Sequence, residues 1–166
     1  MYYLINCCNR FYELSLFSFC FALTKQHYAS EPNHNVVIGG SKVSTKLPVI
    51  KGLLNQVNTL VLGGGLAFTF MKAQGISIGT SLCEDDMVDT AKALLAEAKE
   101  KGKTMVLPVD AVCADSFPKG EMKLEDTKTF DLVPGGGIAD GYMGLDAGPK
   151  TAKIFDEALS LSLIHI

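Results

Sequence analysis

The chain has 166 residues, of which 48% are hydrophobic and 20% are charged, a balance typical of one folded domain and not of a disordered chain. Its formal net charge of −3 provides no basic surplus for binding nucleic acid. The five cysteines include no CxxC pair and only three histidines are present, so a zinc site or a disulfide framework is disfavoured.

Residues 1–34 differ in composition from the rest of the chain, and we interpret them as a non-homologous or disordered leader. Their apolar run Leu14–Thr24 is about half as long as a membrane-spanning helix. A degenerate targeting segment is the alternative, although no convincing cleavage site follows the run. Residues 161–166 (LSLIHI) are interpreted as a non-native tail. We therefore expect the genuine protein to extend beyond both ends.

The first regular unit begins with the apolar run Val36–Ile38, which predicts a buried strand stopped by two glycines. Apolar residues then recur on one helical face over Lys46–Val57. Pro48 is compatible only with the first turn of that helix, because it has no N–H to donate. Either Ser44 or Thr45 is the expected helix cap.

Strands and helices continue to alternate along the chain. Thr59–Leu62 predicts a second strand ended by glycines, and Asp85–Lys101 is the clearest helix, with an acidic first turn and a basic end. Residues 115–137 are predicted to be a loop. The other expected elements are a helix over Leu66–Ala73, a strand over Thr104–Val109, a segment Ala111–Ala114 that continues or pairs with it, and a helix over Pro149–Leu159.

This alternation predicts an α/β fold with a mainly parallel sheet and right-handed crossovers. In such sheets, ligands bind at the carboxyl ends of the strands. The glycine clusters at 39–40 and 63–65 both follow predicted strands, so both fall at that edge.

The segment Gly39–Lys46 (GGSKVSTK) is a candidate for contacting phosphate. Its glycines let backbone N–H groups approach an anion, and the following helix N-terminus adds partial positive charge. If the helix begins by residue 43, Lys42 and Lys46 project to one side and can neutralise phosphate oxygens. The segment is neither a Walker A nor a GxGxxG motif. On pattern alone, a glycine-capped helix start with two solvated lysines is equally compatible.

Two more glycine-rich segments each have two interpretations. Gly63–Gly65 is either a flat wall for a base or ribose, or a tight strand-to-helix turn. Gly141–Pro149 offers Leu145 for an apolar ligand face, but alone it indicates mostly that a helix starts. Asp110 and Asp115 are interpreted as loop carboxylates, because no further ligands for a hard cation accompany them.

Five segments taken together resemble the phosphoglycerate kinase family in order and spacing over Val36–Leu159: VVIGGSKVSTK, LVLGGGLAFTFMKAQG, IGTSL, LPVDAVCADSF and GYMGLDAGPKTAKIF. The resemblance implies that residues 35–160 are the first part of the family's C-terminal, nucleotide-binding domain. The implied fold is a truncated, Rossmann-like three-layer domain on a parallel sheet. The implied reaction transfers a phosphoryl group between 1,3-bisphosphoglycerate and ADP, giving 3-phosphoglycerate and ATP in glycolysis.

The resemblance also implies roles for individual residues. Lys42 resembles the lysine that steadies the transferring phosphoryl group and is the predicted catalytic residue. Lys46 resembles the lysine that contacts the nucleotide phosphates. The other predicted nucleotide-binding residues are Gly40 and Ser41 in the phosphate loop, Gly64 and Gly65 beside adenine and ribose, and Gly144 and Leu145 across the adenine slot.

Two positions depart from the family: Tyr142 stands where Trp is usual, and Thr45 stands where many members have an Asp that is sometimes linked to metal. No metal ligand is therefore predicted in this chain. Mg²⁺ is the expected cofactor with ATP or ADP, and its carboxylate ligand belongs to a later part of the family's sequence. 3-Phosphoglycerate would bind only through the family's N-terminal domain, so we expect the chain alone to be inactive.

Two other functions stay open at this point. One is a non-catalytic adenine-nucleotide-binding α/β module, and the other is a fragment with an exposed sheet edge that does not fold stably. We expect a monomer without nucleic-acid or membrane partners, in the cytoplasm or alternatively in a plastid.

Overall fold

The structure is a computed structural model of the chain and describes residues 4–5, 35–116 and 127–160. Its principal sheet has four parallel strands in the order β1-β2-β3-β5. The mainly parallel α/β architecture predicted from the alternation of elements is confirmed. The strands of this sheet are β1 (Leu4–Ile5), β2 (Asn35–Gly39), β3 (Thr59–Gly63) and β5 (Thr104–Val106).

Most of the predicted leader and all of the predicted tail lie outside the described residues. Residues 1–3, 6–34 and 161–166 are in this group, so their interpretation stays a prediction. Leu4 and Ile5 pair in parallel with Val37 and Ile38, and they extend the principal sheet beyond β2.

In the part of the chain that the structure describes, four α-helices accompany the strands. The helix predicted over Leu66–Ala73 is confirmed, and the last helix is one residue longer than predicted. The helix predicted from Asp85 begins at Val88 instead, because Asp85–Met87 form a separate 3₁₀ turn. Within the described ranges, no helix has the length and apolar character needed to cross a membrane. The helices are α1 (Val43–Leu54), α2 (Leu66–Ala73), α3 (Val88–Glu100) and α4 (Pro149–Ser160).

The prediction for the start of α1 was wrong. The helix begins at Val43, whose side chain is fully buried, so Pro48 lies inside the helix and not in its first turn. Proline at that position removes the N–H that would bond to the carbonyl of Ser44. Neither predicted cap acts as one: Lys42 is the N-cap residue without a side-chain cap bond, and the Thr45 hydroxyl donates to the Lys42 carbonyl at 3.1 Å.

The antiparallel strands were missed. Residues 115–137 and 141–149 were predicted to be loops, and Ala111–Ala114 was predicted to continue or pair with the preceding strand. Instead β6 is the centre of a separate three-stranded antiparallel sheet, and two shorter strands pair elsewhere. Most of these strands are short and lack an apolar run, and the apolar run Ala111–Ala114 of β6 does not indicate which strands it pairs with. They are β4 (Ser77–Ile78), β6 (Asp110–Ala114), β7 (Lys128–Asp131), β8 (Gly137–Ile138) and β9 (Met143–Ala147).

Helix α2 lies between two hydrophobic cores. Leu66 and Phe70 pack into the larger core, formed with the principal sheet and helices α1 and α3. Phe68 and Met71 pack into the smaller core under the antiparallel sheet. Because α2 is buried on both sides, the turn that precedes it is held in a fixed position between the two cores.

Candidate functional site

The two glycine clusters meet at the carboxyl edge of the principal sheet. Strands β2 and β3 are parallel neighbours, and their register pairs Gly39 with Gly63. The chain therefore leaves both strands at the same edge, and the Leu66 N–H donates to the Gly40 carbonyl at 2.8 Å. The prediction that both clusters lie at this edge is confirmed.

The second glycine turn approaches the first more closely than a side chain would allow. Gly64 has a positive φ of 69°, and a Cβ atom built on it would lie 2.9 Å from the Gly40 carbonyl oxygen. A Cβ atom on Gly65 would lie 3.2 Å from the Cα of Ser41. The predicted phosphate-loop residues and the predicted ribose wall are thus in direct contact, and glycine is required where they touch.

The two predicted lysines flank the first turn of α1. Since α1 begins at Val43, the condition for Lys42 and Lys46 to project to one side is met. Lys42 is exposed at the N-cap position. Lys46 folds its stem over the first glycine turn, so that a Cβ atom on Gly40 would lie 3.2 Å from the Lys46 Cε. The lysine pair is therefore adjacent to the backbone of the glycine loop.

The N-terminus of α1 is engaged by Glu84, a residue that sequence reasoning missed. The Glu84 carboxylate accepts bonds from the Ser44 N–H at 2.9 Å and the Ser44 hydroxyl at 2.6 Å. Burial alone would raise the pKa of the Glu84 carboxyl, but the bonds from Ser44 and Val43 and the charge of Lys42 outweigh it and lower that pKa. The Ser44 N–H at the start of α1 is therefore already engaged by a carboxylate of the chain itself.

An apolar cavity adjoins the second glycine turn. Gly64 and Leu145 both line it. Its interior volume is about 10 Å³, roughly the room that one water molecule needs. Its lining consists of Gly64, Ala67, Phe68, Met71, Pro108, Ala111, Leu132, Leu145, Asp146 and Ala147.

Gly144 is not part of the cavity lining. Its N–H donates to the Ser81 hydroxyl at 2.9 Å, and a Cβ atom on it would lie 2.3 Å from the Phe68 Cζ. Because Phe68 lines the cavity, Gly144 leaves room for a ring that shapes it.

Tyr142 is also outside the cavity lining. Its ring packs against Phe130 with centroids 5.2 Å apart, and its hydroxyl accepts a bond from the Lys128 ammonium at 2.7 Å. These contacts join β7 to the start of β9, so Tyr142 supports the antiparallel sheet.

Asp110 is a buried anchor for α4, and its interpretation as a loop carboxylate was wrong. It is the first residue of β6 and is fully buried. Its carboxylate accepts bonds from the Thr151 N–H at 2.8 Å, the Thr151 hydroxyl at 2.6 Å and the Lys150 N–H at 3.0 Å. A Cβ atom on Gly148 would lie 2.3 Å from the Asp110 Cγ. This junction fixes the start of α4 at Pro149, two residues after Ala147, which lines the cavity. Asp115, in contrast, is exposed.

The described residues form no cluster that could hold a metal ion through protein side chains alone. Among residues 35–116 and 127–160, no three His, Cys, Asp or Glu side chains are grouped so as to hold one. The Thr45 hydroxyl is engaged with the Lys42 carbonyl, and the Glu84 carboxylate is engaged with Ser44. An Mg²⁺ ion bound with a nucleotide would therefore need ligands other than these side chains.

Two glycine turns in contact, two lysines beside them and an apolar cavity lie at the carboxyl edge of a parallel sheet, so the class of protein is an α/β domain with a candidate ligand site at that edge. Comparison with known proteins specifies the family. The family model described as phosphoglycerate kinase matches residues 20–164. The chain belongs to the phosphoglycerate kinase family.

Individual relatives agree with this assignment. Phosphoglycerate kinase 3, cytosolic, of Arabidopsis thaliana is 52% identical over 124 residues, which are 74% of this chain and 29% of the relative. Phosphoglycerate kinase 1, chloroplastic, of the same plant is 51% identical over 124 residues, which are 74% of this chain and 24% of the relative. The chain thus spans less than a third of the length of these curated relatives.

A solved structure shows the same fold. The phosphoglycerate kinase of Coxiella burnetii superposes with a TM-score of 0.76 at 33% sequence identity, covering 89% of this chain and 36% of that one. The Rossmann-like α/β fold expected from the family resemblance is confirmed.

Proposed function

We propose that the carboxyl edge formed by the two glycine turns binds ADP or ATP. The observation that carries this proposal is the position of Gly64. It contacts the Gly40 backbone of the phosphate loop and also lines the apolar cavity that contains Leu145. One end of a nucleotide is anionic and the other is a flat, apolar base, so a site for it needs both surfaces side by side.

Each predicted residue takes a specific part in this proposal. Lys42 stabilises the transferring phosphoryl group and is the proposed catalytic residue, and Lys46 neutralises the nucleotide phosphates. The backbones of Gly40, Ser41, Gly64 and Gly65 approach the phosphates and ribose. Leu145 packs on the base at the mouth of the cavity, and Gly144 leaves room for the Phe68 ring that lines it.

We propose that the full-length protein transfers a phosphoryl group between 1,3-bisphosphoglycerate and ADP, giving 3-phosphoglycerate and ATP. The chain's relatives carry the name phosphoglycerate kinase, and the chain spans less than a third of the two Arabidopsis proteins. In this proposal, the described residues supply the nucleotide half of the site. Mg²⁺ arrives with the nucleotide and is held by groups outside the described set.

We further propose a monomeric protein that acts in the cytoplasm, with a plastid as the alternative. The two Arabidopsis relatives support both locations equally, since one is named cytosolic and the other chloroplastic. Imaging a tagged full-length protein in living cells separates the two locations.

Calorimetric titration with ADP tests the proposed site. We expect the chain to bind ADP at one site, and Lys46→Ala to weaken binding about tenfold through the loss of a charge-assisted contact. The control is Lys51→Ala, which removes an exposed lysine in the last turn of the same helix. Equal affinities for the two variants would contradict the role given to Lys46, and no binding by the wild-type chain would contradict the site.

A further inference from the structure

The N-terminus of α1 is closed by a carboxylate from forty residues away in the sequence. The Ser44 N–H and hydroxyl both donate to Glu84. The helix has no acidic residue in its own first turn, and its N-cap residue, Lys42, makes no side-chain cap bond. Glu84 therefore supplies the acceptor and the negative charge that a helix N-terminus usually obtains from local residues.

Glu84 is itself held in place by helix α2. Its N–H donates to the hydroxyl of buried Thr69 at 3.3 Å. The next residue, Asp85, accepts a bond from the Lys72 ammonium of α2 at 2.7 Å. Because α2 begins directly after Gly63–Gly65, Glu84 joins the start of α1 to the helix that follows the second glycine turn.

We propose that Glu84 is a positioning residue of the nucleotide site. Because it occupies the start of α1, the side chains of Lys42 and Lys46, and not the backbone N–H groups of that helix, provide most of the attraction for phosphate. Its carboxylate fixes the first turn of α1, which carries Lys42 and Lys46, relative to the second glycine turn. It also occupies the Ser44 N–H and places a negative charge near Lys42. The inference rests on the proposed nucleotide site.

This role predicts that removing the charge of Glu84 raises the affinity for ADP. Glu84→Gln keeps an oxygen that accepts a bond from Ser44, so the geometry of α1 is retained, but the negative charge is removed. ADP is then attracted about threefold more strongly at low salt, because one opposing unit charge is absent. The gain fades as salt rises, since ions screen charges separated by about 10 Å at 0.1 M. Adenosine has no phosphate, so its affinity stays unchanged.

The matched control is Asp86→Asn, which removes an equal charge from an exposed residue on the neighbouring 3₁₀ turn. Calorimetric titrations of ADP and adenosine into the wild-type chain and both variants, at 20 mM and 300 mM salt, give the comparison. We expect the ratio of ADP to adenosine affinity to rise about threefold in Glu84→Gln at low salt and to change less in Asp86→Asn. An unchanged ratio in Glu84→Gln, or an equal rise in both variants, would overturn the electrostatic role.

The contact itself is tested without nucleotide, so that its failure is separate from a failure of the proposed function. Hydrogen exchange of the Ser44 amide, followed by NMR, should be about tenfold faster in Glu84→Ala, because that amide loses its acceptor. Glu84→Gln should retain most of the protection. Unchanged exchange in Glu84→Ala would overturn the positioning role even if the wild-type chain binds ADP. A wild-type chain that does not bind ADP would overturn the proposed function and, with it, the effect of Glu84 on phosphate binding.

Discussion

The Gly40 carbonyl oxygen and the Cα of Gly64 are so close that no side chain fits between them: a Cβ atom on Gly64 would lie 2.9 Å from that oxygen. The same oxygen accepts a bond from the Leu66 N–H at 2.8 Å. Backbone contacts therefore hold the turns after β2 and β3 against each other. These contacts fix the segment Gly39–Lys46 relative to the apolar cavity.

Gly64→Ala should break these contacts. Alanine is strained at a φ of 69°, and its Cβ collides with Gly40, so we expect the free energy of unfolding to fall by about 2–3 kcal/mol and ADP binding to weaken. Gly102→Ala is the matched control, because Gly102 has a similar φ of 64° but no atoms within 4 Å of a built Cβ. It should lose only about 1 kcal/mol and bind ADP normally. Urea unfolding and titration measure both effects, and equal losses for the two variants would refute the close-contact argument.

Gly144→Ala should change the shape of the cavity by moving the Phe68 ring that lines it. The new methyl group would displace the Phe68 ring, which overpacks the smaller core and lowers the free energy of unfolding by about 2 kcal/mol. The affinity for ADP should fall, while the affinity for pyrophosphate, which has no base, should be unaffected. The double variant Gly144→Ala/Phe68→Leu should recover part of the stability, as measured by thermal unfolding. A stable single variant with normal ADP affinity would show that Gly144 is not needed for the cavity.

Asp110 should make stability depend on acid pH. Burial alone would raise the pKa of its carboxyl, but the bonds from Thr151 and Lys150 hold that pKa below its ordinary value. The stabilisation is therefore fully present above the unfolded pKa, roughly 4, and is lost as pH falls through the lower, folded pKa.

Asp110→Asn removes this titrating group while keeping its size. We expect the free energy of unfolding to fall by about 2 kcal/mol at pH 7, because a buried hydrogen-bond network is broken. Below pH 4 the difference from the wild-type chain should shrink. Urea unfolding between pH 3 and 7 measures it, and a constant difference across this range would argue against a titrating Asp110.

Cys113 should be inert in the folded protein. Burial raises the pKa of its thiol to about 11, and burial together with a bond to Asp85 raises that of Cys83. At pH 7.5 only roughly one Cys113 thiol in three thousand is then ionised. Peptide mass spectrometry after iodoacetamide treatment should find Cys113 unlabelled in the native chain and labelled after urea unfolding. Equal labelling in both states would contradict its burial.

The parts of the fold that were predictable are those coded by local sequence. The apolar run before Gly39 and the run before Gly63 each bury a strand in a parallel sheet, and the glycines mark where each strand ends. The family motifs indicated the Rossmann-like fold. The contact between Gly64 and Gly40 was not predicted, because it depends on β2 and β3 being neighbours in the sheet.

The parts that were missed depend on contacts between distant residues. Glu84 lies forty residues from Ser44, and nothing in its local sequence indicates that it caps α1. Asp110 follows a proline-containing turn and looks like a surface carboxylate until Thr151, forty-one residues later, packs against it. In the antiparallel sheet, β7 and β9 lack an apolar run, and the run in β6 does not indicate its partners, so pairing between distant residues determines this sheet.

The most direct test of the account is to map ADP onto the chain by amide chemical shifts in ¹H–¹⁵N NMR spectra. If ADP binds at this single site, the largest shifts cluster at the two glycine turns, Gly40–Ser41 and Gly64–Gly65, and at Leu145, and all of them saturate with one dissociation constant. Amides of the far end of α3, near Lys99, should not move. Shifts that miss the glycine turns, or that affect the phosphate loop and Leu145 with different dissociation constants, would contradict a single nucleotide site at this edge of the sheet.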